Sequence, residues 1–162
     1  MRKLLLLFML PVLLFGCKSS SKTSNLTPKS NRSTQAEIKG NWQITRVLFP
    51  GSDYIKVNAF QIADSKCFIG STWNFISNNN KGSLNLNQSN DCASFSSPIV
   101  WAIDKEGKFG LKIVEAGVKS KNVTQGFLLR IANKTATSFQ LIDIINVGGQ
   151  NKEITYQFEK IN

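Results

Sequence analysis

The chain has no histidine among its 162 residues. That removes Ser-His-Asp and Cys-His nucleophile systems, and every histidine-ligated metal site, from consideration. Acidic side chains are few, 10 against 20 Lys and Arg, for a formal net charge of +10. Most of this excess lies in flanking segments. Residues 1–16 carry Arg2 and Lys3 and no acid, and residues 18–36 add Lys18, Lys22, Lys29 and Arg32, again with none. Residues 37–162 hold 14 basic and all 10 acidic residues, net +4. Charge that is not gathered on a folded face excludes nucleic acid as the expected partner. The N-terminal apolar run, Leu4–Phe15, has 12 residues and is too short to span a bilayer as a helix.

A basic start, this short run and then Gly16-Cys17 form the pattern of a secretory signal peptide. Leu14-Phe15-Gly16-Cys17 resembles the bacterial lipobox, which implies cleavage before Cys17 and diacylation of its thiol. Acyl chains there would hold the protein on a membrane stably. Lys18, rather than Asp, resembles sorting to the outer membrane. Ser19–Lys22 lack the acidic cluster that resembles a surface-export signal. The expected location is the outer membrane, lipid-anchored and facing the periplasm. Residues 17–36 are polar, with Leu26 the one large apolar side chain, and cannot bury enough surface to offset ordering. The expected organisation is a signal peptide at 1–16, a lipidated flexible linker at 17–36 and a folded domain at 37–162.

Within 37–162 the dominant period is two, as in half-buried strands. Trp42, Ile44 and Leu48 alternate with polar residues, as do Trp73 with Phe75 and Leu84 with Leu86. Ile99, Trp101 and Ile103 share a face. So do Phe109, Leu111 and Ile113, then Phe127, Leu129 and Ile131. A strand from Phe139 to about Asn146 is apolar on both faces at Ile142 and Ile144, and Ile154, Tyr156 and Phe158 close the series. The connections are short and rich in Asn, Asp and Gly, which tolerate the positive φ of tight hairpins. Only Val57–Ser65 suggests a helix. The fold expected is all-β, an antiparallel up-and-down meander of about eight strands whose exposed edges disappear on closure into a barrel. A two-sheet sandwich is the alternative.

Gly40-Asn41-Trp42 is similar to the Gly-x-Trp that opens the first barrel strand of lipocalins. Cys67, the aromatic strand through Trp73 and Phe75, Cys92 and then Trp101 follow in an order that resembles bacterial lipocalin-like lipoproteins. The resemblance covers about residues 38–160. It implies a small barrel, often with an apolar lumen.

With Cys17 assigned to lipid, Cys67 and Cys92 remain as an even pair in an oxidising compartment, where a disulfide is expected. Two cysteines without histidine are too few for structural zinc, and no cofactor or catalytic residue is indicated. Asp104 and Glu106 read as a solvated turn. Lys105, Lys108, Lys112, Lys119 and Lys121 could form a patch that attracts anionic polysaccharide or lipid, or simply a solvated face. Trp42, Trp73, Phe75, Trp101 and Phe127 lie on the inward parity and are the candidates for a pocket, although an eight-stranded barrel is only just wide enough for its own side chains. A small hydrophobic ligand is the leading expectation. A packed barrel that docks on an outer-membrane or periplasmic partner is the alternative, and an enzyme is disfavoured. Finally, Lys160 shares the parity of Tyr156 and Phe158. In a closed barrel it should meet Trp42 at the floor, with Arg46 and Arg130 as competitors for the same ring, a pairing that resembles barrel closure in lipocalin-like folds.

Overall fold

The computed structural model describes residues 32–49, 51, 56–114 and 117–162. Cys17, the signal segment and most of the expected linker lie outside them. A short helix, α1 (Arg32–Ile38), precedes ten strands: β1 (Gly40–Leu48), β2 (Asn58–Ala59), β3 (Ala63–Asp64), β4 (Thr72–Ile76), β5 (Lys81–Leu86), β6 (Phe95–Ile103), β7 (Lys108–Ile113), β8 (Phe127–Ala132), β9 (Ser138–Val147) and β10 (Gln150–Ile161). Eight of them close a barrel in the order β1-β10-β9-β8-β7-β6-β5-β4, every pairing antiparallel. The meander is therefore a barrel and not a sandwich. β2 and β3 form a separate hairpin.

Alternation places one row of side chains from each strand in the lumen. The buried positions Trp42 and Ile44, Trp73 and Phe75, Leu84 and Leu86, Trp101 and Ile103, Phe109 and Leu111, Phe139 and Leu141, and Tyr156 and Phe158 follow that parity. Leu48 departs from it. A bulge between Ile44 and Arg46 shifts the register, so Val47 packs on the core and Leu48 is exposed. The turns carry the positive φ their composition called for, at Asn80, Gly107, Asn133, Gly148 and Gly149.

One local expectation is corrected. Val57–Ser65 is the β2–β3 hairpin, followed by a 3-10 turn at Ser65–Phe68. The Asp64 carboxylate accepts from the Val57 amide at 3.0 Å and the Lys66 amide at 2.9 Å, which ties the hairpin base together. On the N-terminal side, α1 occupies Arg32–Ile38 and has two inward anchors. Ile38 and Gln35 are buried. The Gln35 amide donates to the Ser77 carbonyl at 3.3 Å and to Asn80 Oδ1 at 3.0 Å. Glu37 pairs with Lys134.

These contacts seat α1 at the end of the barrel where β1 begins and β10 finishes. That end is the floor. The opposite end, the mouth, carries the β2–β3 hairpin and the loops before β6 and β8. There Cys67 and Cys92 are joined in a disulfide, Cα atoms 5.6 Å apart, tying the 3-10 turn to the loop before β6.

Candidate functional site

The lower lumen is filled by rings. Phe139 and Phe158 stack at 4.6 Å, Trp101 and Phe109 at 5.6 Å, and Trp42 meets Phe139 edge-on at 4.7 Å. Phe75 touches Trp101, Phe109, Phe139 and Phe158 within 6.5 Å. Each indole N–H is satisfied inside the protein: Trp42 donates to the Ile38 carbonyl, Trp73 to Ser71 Oγ and Trp101 to the Lys81 carbonyl, at 2.7, 2.9 and 3.0 Å. Four of the five pocket candidates, Trp42, Trp73, Phe75 and Trp101, point inward, as their parity requires, and are buried in the core; they are not among the residues that line a cavity at the mouth.

Phe127 is the exception. It lines a cavity of about 460 Å³ at the mouth, together with Phe60, Ile62, Phe95, Ile113 and Val118. Asn122, Thr124 and Gln125, in the loop before β8, supply a polar edge. Ile113 and Phe127 sit where β7 ends and β8 begins, at the mouth end of their inward rows. Phe60 and Ile62 come from the β2–β3 turn, and Phe95 from the start of β6. None of these three belonged to a strand pattern in the sequence, so no periodic signal marked them.

Phe60 also forms the inner wall of the cavity. It is buried, with its ring centroid 5.2 Å from each of Phe68, Phe127 and Tyr156. Beneath it Tyr156 is fully buried, and its hydroxyl has no hydrogen-bond partner. Burial, reinforced by the negative charges of Asp143 and Asp64, pushes the Tyr156 phenol well above its ordinary ionisation range. Asp143, on the inward parity of β9, is itself raised by burial, against the opposing effect of the Ile144 amide.

Other expected residues lie apart from this site. Trp42 and Lys160 are directly opposed across β1 and β10, and the Lys160 ammonium lies 5.7 Å from the indole centroid. The competitor Arg130 pairs with Glu153 at 2.8 Å. Asp104 accepts from the Glu106 and Lys108 amides, and Glu106 pairs with Lys108, so both carboxylates serve the β6–β7 turn. The five lysines do not form one patch. Lys105 and Lys108 are at the floor turn, while Lys119 and Lys121 are in the mouth loop. Lys112 donates to the Val123 carbonyl. The length of β7, roughly 17 Å at ~3.3 Å per residue, separates the two groups.

Neither a protein-family profile nor a curated protein sequence matches the chain. Solved structures similar to it include a bovine odorant-binding protein complexed with its natural ligand, 16% identical over 78% of this chain and 72% of that one, TM-score 0.45. Another odorant-binding protein is 9% identical over 78% and 73%, TM-score 0.48. A dog lipocalin allergen is 17% identical over 77% and 76%, TM-score 0.44. The assignment of a closed eight-stranded barrel rests on its own strand ladder.

Proposed function

We propose that this is an envelope lipoprotein, anchored through acyl chains on Cys17 to the outer membrane and facing the periplasm, whose barrel binds a small hydrophobic molecule at its mouth. The observation that carries the binding role is the mouth cavity. Its volume of about 460 Å³ falls within the ~300–1,000 Å³ of small-molecule sites, and it is an open site in which the apolar side chains face a polar side made of Gln61, Asn122, Thr124 and Gln125. The anchoring role rests on the Leu14–Cys17 box and the basic, apolar segment before it. The role is carriage or sequestration and not catalysis.

Native mass spectrometry of the full chain after mild extraction tests the binding role. A co-purified apolar adduct is expected, and Phe127→Asp, which places a charge in the cavity wall, should abolish it. An adduct retained at full occupancy in that variant would place the ligand elsewhere. Cys17→Ser should release the protein from membranes. A variant that still sediments with them after a high-salt wash would end the anchoring proposal.

A further inference from the structure

Phe60 occupies space that belongs to the barrel while being held there from outside the barrel ladder. It and Gln61 have φ of 51° and 58°, the left-handed region that bulky side chains rarely adopt. The hairpin that carries them is tied at its base by the Val57 and Lys66 amides on Asp64, by Ser65 on the Val57 carbonyl and by Ile62 on the Ala59 carbonyl, and Lys66 continues into the 3-10 turn by accepting from the Ile69 amide. What holds the Phe60 ring in the lumen is packing on Phe68, Trp73, Phe127 and Tyr156.

The Tyr156 ring that Phe60 touches carries the one buried side-chain polar atom without a partner among the described residues, the Tyr156 hydroxyl. An orphaned buried hydroxyl calls for an explanation, since nearly all such groups are paired. Phe60 lines the mouth cavity and its ring lies 5.2 Å from that of Tyr156, so withdrawing it would open the cavity toward the Tyr156 side chain. Burial, and after it the carboxylates of Asp143 and Asp64, oppose ionisation of the phenol, so the hydroxyl there is a donor.

We propose that Phe60 is a displaceable resident of a deeper ligand site: a neutral molecule with a phenyl-sized apolar body and one carbonyl-type acceptor displaces this ring and takes a hydrogen bond from the Tyr156 hydroxyl. The inference rests on the mouth cavity being a small-molecule site and specifies what that site selects.

Acetophenone and cumene form a shape-matched pair of probes, one with a carbonyl oxygen where the other has a methyl group. Their dissociation constants can be measured by headspace partition over the wild-type full chain, Phe60→Ala and Tyr156→Phe. Tyr156→Phe should lower acetophenone affinity relative to cumene by about fivefold, the loss of one net hydrogen bond, and leave cumene unchanged. Phe60→Ala should tighten both probes several-fold, because no resident ring has to be expelled. A relative affinity unmoved by Tyr156→Phe, or Phe60→Ala binding no tighter than wild type, overturns the proposal. If both probes bind wild type, are lost in Phe127→Asp and ignore Tyr156→Phe, the mouth site stands and the deeper site does not. If neither probe binds wild type or Phe60→Ala, both readings fall. Should circular dichroism show Phe60→Ala unfolded, the relative affinity in Tyr156→Phe decides alone.

Discussion

Replacing Tyr156 with Phe should make the protein more stable. The hydroxyl is buried, on a ring packed against Phe60 and Phe68, and lacks a partner, so folding strips it of water and returns nothing. That desolvation costs about 1–3 kcal/mol. Removing the oxygen leaves a void of roughly 10 Å³, which at ~24 cal/mol per Å³ takes back about 0.2 kcal/mol. The gain is about 1–3 kcal/mol, or on the order of 3–10 °C in Tm for a domain of this size. Urea unfolding followed by tryptophan fluorescence should show a higher midpoint at an unchanged slope. Alkaline pH gives a second readout. The folded phenol ionises above its ordinary range and the unfolded one near ~10, so above that pH the folded state binds the extra proton. Wild-type stability should therefore fall as pH rises through ~10 by more than that of Tyr156→Phe, with the lysines common to both cancelling in the difference. A variant that is less stable than wild type, with no such divergence, would show that the hydroxyl has a partner and that the argument is wrong.

Breaking the Cys67–Cys92 bridge opens a loop of 25 residues and should cost about 3 kcal/mol, read as a lower midpoint for Cys67→Ala/Cys92→Ala; two free thiols trapped from unreduced protein would refute the bridge itself. Gly82→Ala should cost ~2 kcal/mol or more, or prevent folding, because a Cβ would lie 2.1 Å from the Asn74 carbonyl oxygen and 3.1 Å from Ile99 Cγ1; wild-type stability in that variant would mean the β4–β5 ladder is spaced differently. Lys160→Met keeps most of the stem over Trp42 and removes the charge, so thermal unfolding should report a loss of ~0.5–1 kcal/mol, smaller at high salt.

Period two made the barrel legible, since alternation fixes which side of a strand faces the lumen, and short Asn- and Gly-rich turns leave antiparallel neighbours as the main option. It did not make the site legible. Parity gives a face but no height, and height separates Trp42, Phe75 and Trp101, which pack among the lower rings, from Phe127, which lines a cavity. The meeting of Trp42 and Lys160 could be worked out because it depends only on strand order and direction. Phe60 could not, because it reaches the lumen through a turn in the left-handed region, where no repeat in the chain prescribes the direction of a side chain.

The helix laid across the floor makes the two poles of the barrel mechanically unequal. A pull on residues before Arg32 enters the domain through α1. There it meets the bonds of Gln35 to Ser77 and Asn80, the Glu37–Lys134 pair and the Trp42 indole on Ile38, and passes into the lower ring stack. The hairpin, the disulfide and the cavity stand at the other pole, outside that load path. Tension applied ahead of Arg32 is therefore borne by the ring-filled floor, and the shape of the mouth is insulated from it.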